Sequence, residues 1–155
     1  MPGNTDPIYS KNGKISSVLV TAANASSQGG GTIGTDIFLC FTADATNGSF
    51  VQRVRLIATG TAPTTTTASV ARVFISSIAS GATTSANTFL WDERPLPAIT
   101  ADSASAQVNP IDIPFGFLLA AGQTILVTNH AAPAASTAWC AVARLHQASS
   151  THRRK

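Results

Sequence analysis

The sequence predicts an all-β protein, a single-domain antiparallel β-sandwich of the jelly-roll type with about eight strands. Good helix formers are scarce, since Glu and Met each occur once and Lys three times. Strand-like apolar segments instead recur about every 10 to 15 residues, separated by Gly, Pro and Asn. No helical crossover pattern lies between them, so the strands are expected to pair antiparallel in two stacked sheets. A chain of 155 residues can bury one such core.

Four strands are predicted in the first half of the chain. They are residues 14–22, 36–42, 49–59 and 69–77. The Gly-rich stretch 28–31 between the first two is predicted to be a flexible loop. Asn47-Gly48 accepts the positive φ of a hairpin turn and predicts a tight turn before the third strand.

The third and fourth strands also predict which side chains face the core. Alternation places inward Phe50, Val54 and Leu56 in one strand and Ala71, Val73 and Ile75 in the other. The opposite faces mix apolar side chains with arginine, a composition that subunit contacts favour. We therefore predict a subunit interface that contains Val51, Arg53, Arg55, Arg72 and Phe74. In the alternative interpretation these residues face solvent or the rim of the second sheet.

The second half predicts the remaining strands. They are residues 87–93, 111–113, 123–129 and 137–147, and residues 115–121 lead into Gly122 before the strand 123–129. Residues 94–108 contain Pro95 and Pro97 and are predicted to be irregular or an edge connection, and residues 111–113 form a short edge strand between prolines. An immunoglobulin-like sandwich is the alternative, but Cys40 and Cys140 are too far apart in sequence for its usual bridge.

These boundaries define three parts of the chain. Residues 1–13 are predicted to be an N-terminal arm, 14–147 the jelly-roll domain and 148–155 a basic, disordered tail. Three of the 10 basic residues end that tail, so the remaining 7 balance the 7 acidic residues. A neutral body makes nucleic-acid binding unlikely. The sequence has no signal peptide or long apolar run, so we expect a cytoplasmic origin and no membrane partner.

No pattern of catalytic or metal-binding residues is present. The two cysteines have no second Cys or His at the spacing of metal ligands. They are expected to be reduced and buried, with a disulfide between them as the alternative. Asp92 and Glu93 should point to opposite faces of a strand. The stretch 29–34 lacks the Gly-Lys-Ser/Thr ending of a phosphate-binding loop, and no Gly-x-Ser-x-Gly elbow occurs. We expect neither an enzyme nor a bound cofactor or metal.

Three stretches resemble a family of small jelly-roll structural proteins of tailed phages. Residues 46–55, TNGSFVQRVR, are similar to the family's hairpin turn and the strand after it. Residues 69–75, SVARVFI, resemble the next strand, and residues 114–125, PFGFLLAAGQTI, resemble a turn that leads into a later strand. The resemblance covers about residues 15–145. It implies a virion protein, often a trimer that sits on the capsid lattice as a decoration or cement subunit.

The resemblance therefore leads to a functional expectation with two rivals. We expect a homotrimer in the virion, assembled in the host cytoplasm, that binds the major capsid protein. One rival is a receptor- or carbohydrate-binding module of a tail fibre or baseplate, which predicts exposed Trp or Tyr beside Asp or Asn; Tyr9 is the only tyrosine. The other is a jelly-roll coat protein whose Arg153-Arg154-Lys155 ending contacts packaged nucleic acid.

Overall fold

A computed structural model describes residues 12–61, 64–100 and 110–147. These residues form ten strands, numbered in chain order. The strands are β1 (Asn12–Val20), β2 (Gly31–Thr32), β3 (Phe38–Thr42), β4 (Ser49–Gly60), β5 (Ser69–Ser76), β6 (Ala82–Thr83), β7 (Thr88–Leu96), β8 (Ile111–Leu119), β9 (Thr124–Asn129) and β10 (Thr137–Gln147). None of the described residues belongs to a helix long and apolar enough to cross a membrane.

Two four-stranded antiparallel sheets make up the body of the protein. Sheet A has the strand order β1-β10-β4-β8, and sheet B has the order β3-β9-β5-β7. The short strands β2 and β6 pair only with each other. One cluster of buried side chains draws members from both large sheets, among them Val54 and Trp139 of sheet A and Val73 and Ile125 of sheet B. The predicted all-β sandwich is thus confirmed, with its core between the two sheets.

A β-bulge in β4 changes which of its side chains face the core. The register of β4 with β10 passes from Val51 directly to Arg53, so Gln52 is the extra residue of the bulge. The extra residue shifts the alternation by one, so Val51 joins Val54 and Leu56 in the core. Phe50 lies on the outer face and is exposed. The predicted orientations of Val51 and Phe50 were wrong for this reason.

Strand β5 has the predicted orientation, but both of its faces are covered. Ala71, Val73 and Ile75 belong to the core between the sheets. Arg72 and Phe74 lie on the opposite face, as predicted, yet both are buried. The expectation that they reach water or a partner was wrong, because other parts of the chain lie over this face.

The two proline-containing strands are longer than predicted. β7 continues through Pro95 to Leu96, which is buried in the core, although residues 94–96 were expected to be irregular. β8 runs through Pro114 to Leu119, where only the short strand 111–113 was expected. Both strands lie at sheet edges, so the N–H that each proline lacks need not pair with a neighbouring strand. Gly116, at a positive φ of 70°, lies where the β4–β8 register shifts.

The predicted turn before β4 is present and is held by Asp44. The Oδ1 atom of Asp44 accepts hydrogen bonds from the backbone N–H groups of Thr46 and Asn47, at 3.0 and 2.8 Å. These bonds lower the pKa of Asp44 below its usual value. Gly48 follows with φ at 70°, the left-handed conformation that glycine adopts without cost.

The predicted domain limits can be compared only in part. β1 begins at Asn12, inside the predicted N-terminal arm. Residues 1–11 of that arm and the predicted tail, residues 148–155, lie outside the described residues.

Candidate functional site

The outer face of sheet B is covered by the chain itself. The segment 24–37, which precedes β3, places Ile37 against Phe74 of β5 and Leu126 of β9, and all three side chains are fully buried. Gly29 of the same segment lies so close to Phe74 and Thr88 that a Cβ atom there would contact both. This cover closes the part of sheet B that contains Phe74 to other molecules.

Hydrogen bonds within the segment 24–37 hold this cover together. Asn24, which is buried, donates from Nδ2 to the Gly30 carbonyl and to Asp36 Oδ2, each at 3.0 Å. The other carboxylate oxygen of Asp36 accepts the backbone N–H of Thr32 at 2.6 Å. The stretch 28–31, which was predicted to be a flexible loop, is therefore an ordered part of the sandwich. Its last glycine, Gly31, begins β2.

Arg72 ties this cover to sheet B. Its side chain pairs through Nε with Glu93 Oε1 on the neighbouring strand, and Nη1 donates to the Asn24 carbonyl at 3.4 Å. Only 8% of Arg72 is exposed. Arg72 therefore contributes to the internal structure of the protomer and lies on a different face from Arg53 and Arg55. The structure does not bring the five predicted interface residues together on one surface.

The outer face of sheet A is bare in the described part of the chain. We define the sheet A face as the outward side chains of its four strands. In rows across the sheet they are Leu19, Cys140 and Ile57; then Ser17, Val142, Arg55 and Asp112; then Ile15, Arg144, Arg53 and Pro114. Ile15 is 72% exposed and Leu19 51%, a high exposure for aliphatic side chains on a sheet.

One ion-pair cluster on this face joins Arg53 and Arg55 to Asp112. Arg55 forms a two-pronged pair with Asp112, Nε to Oδ1 and Nη2 to Oδ2, both at 2.8 Å. Arg53 Nη1 lies 3.4 Å from the same Oδ2 atom. The hydrogen bonds from Arg55 lower the pKa of Asp112 below its usual value, so this carboxylate stays ionised at neutral pH.

A depression of about 510 Å³ opens on the sheet A face. Four basic residues line it: Lys14, Arg53, Arg55 and Arg144. Aliphatic side chains of Ile15, Ile57 and Val142 complete most of the wall. No acidic or aromatic residue of the described ranges is part of the lining.

Aromatic side chains close one open edge of the sandwich. The Trp91 ring lies 5.5 Å from Phe115 and 4.7 Å from Phe117, measured between ring centroids. Trp91 is the extra residue of a bulge in β7, and this bulge turns it toward β8. It remains 41% exposed, and Phe89 and Leu90 beside it are exposed as well. These aromatic contacts join β7 and β8, the edge strands of the two sheets.

The polar residues considered for chemistry serve structural contacts. Asp92 pairs with Arg94 at 2.7 Å, whereas Glu93 pairs with Arg72, so the two neighbouring carboxylates do not share a cleft. Within the described ranges, no three His, Cys, Asp or Glu side chains lie close enough to hold a metal ion.

The two cysteines are free thiols in different environments. Cys40 is buried in the core, where its Sγ donates to the Ala141 carbonyl at 3.7 Å, and burial raises its pKa to about 12. Cys140 lies on the sheet A face and is only partly buried, which raises its pKa less. The expectation of two buried thiols therefore fits Cys40 but not Cys140.

These environments predict that one thiol reacts in the native protein. We expect Cys140 to be labelled slowly by a maleimide at mildly alkaline pH, because its raised pKa keeps the thiolate fraction low. Cys40 should react only after unfolding in guanidinium. Mass spectrometry after peptide digestion identifies the labelled residue. Rapid labelling of both thiols in the native state would contradict this prediction, and Cys140→Ser is the control that should remove the native signal.

No protein-family model, curated protein or solved structure matches the chain. The candidate site therefore stands on the geometry of the chain's own residues.

Sequence reasoning found Arg53 and Arg55 on the exposed face but missed the other residues of the site. Ile15, Val142 and Arg144 were not predicted as site residues, because their contribution depends on β1 pairing with β10. A local signal did exist in β10, where Cys140, Val142 and Arg144 alternate with Trp139, Ala141, Ala143 and Leu145.

Proposed function

We propose that the chain is a jelly-roll structural protein of a virus particle, a decoration or cement subunit that binds the major capsid protein as a homo-oligomer. With the short strands β2 and β6 set aside, eight strands remain in the orders β1-β10-β4-β8 and β3-β9-β5-β7. In each sheet, strands from the beginning and the end of the chain are neighbours. This interleaving supports a jelly roll, which is built from two Greek keys.

The proposal rests on a difference in coverage between the outer faces of the two sheets. Sheet B is covered by the segment 24–37, while the sheet A face presents exposed aliphatic side chains among arginines. Monomeric proteins rarely leave such a surface open, and Arg beside apolar residues is typical of protein interfaces. A sandwich whose own chain covers part of sheet B, and leaves the sheet A face open in the described residues, suits a subunit that lies flat on a larger assembly.

Such a subunit acts by holding other subunits together. Each copy bridges neighbouring capsid subunits, and each contact adds a modest binding free energy. Linking copies in one oligomer raises the effective concentration of the next contact, so the particle gains more stability than one contact provides. A trimer at a three-fold lattice position makes three equivalent contacts at once.

Light scattering and sedimentation test the proposal together. We expect the purified chain to have the mass of an oligomer, with a trimer as the leading expectation. It should also co-sediment saturably with expanded empty capsids of the phage that encodes it. A monomer that remains in the supernatant at every capsid concentration would contradict the proposal. Bovine serum albumin in parallel tubes controls for trapping in the pellet.

One observation favours a second candidate, a carbohydrate-binding module. Trp91 is an exposed aromatic residue beside a carboxylate, the combination that such a module uses. However, the ring already contacts Phe115 and Phe117, and Asp92 is engaged by Arg94. Glycan-array binding that disappears in Trp91→Ala, combined with no capsid binding, would favour this second function.

A further inference from the structure

We infer that the depression on the sheet A face docks an acidic segment of a different protein, in which carboxylate side chains flank an apolar one. The inference deepens the proposed function, on which it rests, by naming the surface used and the chemistry of the partner. It is argued from charge, from the apolar wall and from the unsuitability of two other occupants.

The charges of the depression are unbalanced. Among the residues that the structure describes, its lining contains four basic residues and no acidic one. Asp112, at its border, neutralises one positive charge and is already held at both oxygen atoms by Arg55. Among the described residues, neither Lys14 nor Arg144 takes part in an ion pair. The charge of Lys14 acts on Asp44, whose pKa it helps to lower, so Arg144 is the residue with which an incoming carboxylate can pair without displacing an existing partner.

The arginines are also arranged in advance of binding. The two-pronged pair with Asp112 fixes Arg55, and Arg53 contacts the same carboxylate. A guanidinium group that is already ordered loses less side-chain entropy when a partner binds. Asp112 thus acts as a positioning residue for the basic side of the depression.

The apolar wall requires more than a charged ligand. Ile57 and Val142 are half-buried in the depression, and Ile15 stands at its side with most of its surface exposed. Covering these side chains releases water from aliphatic surface, which contributes about 25 cal/mol per Å² buried. An apolar side chain between two carboxylates matches both properties of the site.

Two other occupants fit this surface less well. A second copy docked through the same face would place its excess of positive charge against an identical excess, and such like-charge contacts weaken association. A single-stranded nucleic acid would match the charge, but single-strand binders stack bases on aromatic side chains, and none of the described lining residues is aromatic. A protein segment with acidic and aliphatic side chains is favoured over both.

Cys140 is a native thiol at this face, so binding there can be measured without introducing a cysteine. It lies in register between Leu19 and Ile57, next to the depression, and Cys40 is too deeply buried to interfere. We would measure maleimide labelling of Cys140 with three probes: a synthetic peptide of alternating Glu and Leu, the same peptide with Gln in place of Glu, and an oligothymidylate. We expect only the Glu-Leu peptide to slow labelling, and added salt to reverse the effect.

A matched pair of variants tests the charge. Arg144→Gln and Arg94→Gln each remove one exposed positive charge, but Arg94 lies on sheet B, where it pairs with Asp92. We expect Arg144→Gln to weaken binding of the Glu-Leu peptide about tenfold, which is the effect of losing one charge-assisted contact. Arg94→Gln should bind as the wild type does. Circular dichroism establishes that both variants are folded.

The same variants in capsid sedimentation separate this inference from the proposed function. If the wild type and both variants co-sediment equally, the docking inference is overturned and the capsid function stands. If neither the wild type nor the variants co-sediment with capsids, but Arg144→Gln weakens binding of the Glu-Leu peptide, the docking inference stands and the capsid function is overturned. Equal effects of both variants on peptide binding, protection of Cys140 by rising protein concentration alone, or stronger protection by oligothymidylate would each overturn the inference.

Discussion

Replacing Phe74 by aspartate is expected to unfold the protein. The Phe74 ring is fully buried between sheet B and its cover, against Ile37 and Leu126. Removing a buried phenylalanine ring costs about 3–5 kcal/mol, and burying a carboxylate in its place adds to that cost. The loss is comparable to the whole free energy of unfolding of an ordinary domain, about 5–15 kcal/mol. Guanidinium unfolding followed by circular dichroism measures the change.

Phe89→Asp is the matched control for this substitution. Phe89 belongs to the neighbouring edge strand, and 54% of it is exposed. A carboxylate there stays in water, so we expect a change within about 1 kcal/mol. Phe74→Leu, which keeps an apolar side chain, should remain folded with a lower unfolding midpoint. Equal midpoints for Phe74→Leu and the wild type would show that the ring is not packed as described.

This result also changes how an interface can be tested. On sequence grounds Phe74 is an interface candidate, and a charge at that position would be expected to separate subunits. Because the ring is buried within one protomer, the loss of an oligomer in Phe74→Asp would report unfolding instead. Exposed positions such as Ile15 on the sheet A face test docking of a partner protein without that ambiguity.

Gly48→Ala is expected to have the second large effect on stability. Gly48 has a φ of 70°, and a Cβ atom there would overlap the Leu119 carbonyl oxygen. Left-handed backbone costs a non-glycine residue about 1–2 kcal/mol, and a forced backbone shift about 1–3 kcal/mol more. We therefore expect the free energy of unfolding to fall by about 2–5 kcal/mol, measured by denaturant titration.

Gly122→Ala separates the two contributions. Gly122 has nearly the same φ, 75°, and its N–H also bonds the Asp44 carbonyl, but open space surrounds the position of its Cβ. This variant should lose only the conformational part, about 1–2 kcal/mol. If the two variants are equally destabilised, the contact between Gly48 and Leu119 is not a source of the effect.

Much of the fold was predictable because its signals are local. The turn at Asn47-Gly48 and the inward set of β5 follow from residue types and from alternation along a single strand. The orientation of Val51 was not predictable, since the bulge at Gln52 arises from pairing with the distant strand β10. Alternation assumes a regular ladder, so one extra residue in a strand reverses every assignment before it.

The cover over sheet B escaped prediction for a different reason. Glycines in the segment 24–37 indicate freedom of the backbone, but whether that freedom is used depends on distant partners. Asn24 and Asp36 meet across the segment, and Arg72 reaches Asn24 from another strand. The sheet A face likewise combines the first and last strands of the described chain. Contacts of this range leave no periodic trace in the sequence.

The position of the last two strands has a consequence for the timing of folding. β9 lies in the middle of sheet B and β10 in the middle of sheet A, so β3 and β1 have no sheet neighbour without them. During translation, at about 5–20 residues per second, β1 and β3 must therefore wait without a sheet neighbour until residues 124–147 are made, whereas β4 can pair with β8 and β5 with β7. Such non-local pairing also slows the folding reaction itself. The nascent chain is thus most exposed to aggregation and proteolysis just before residues 124–147 emerge from the ribosome.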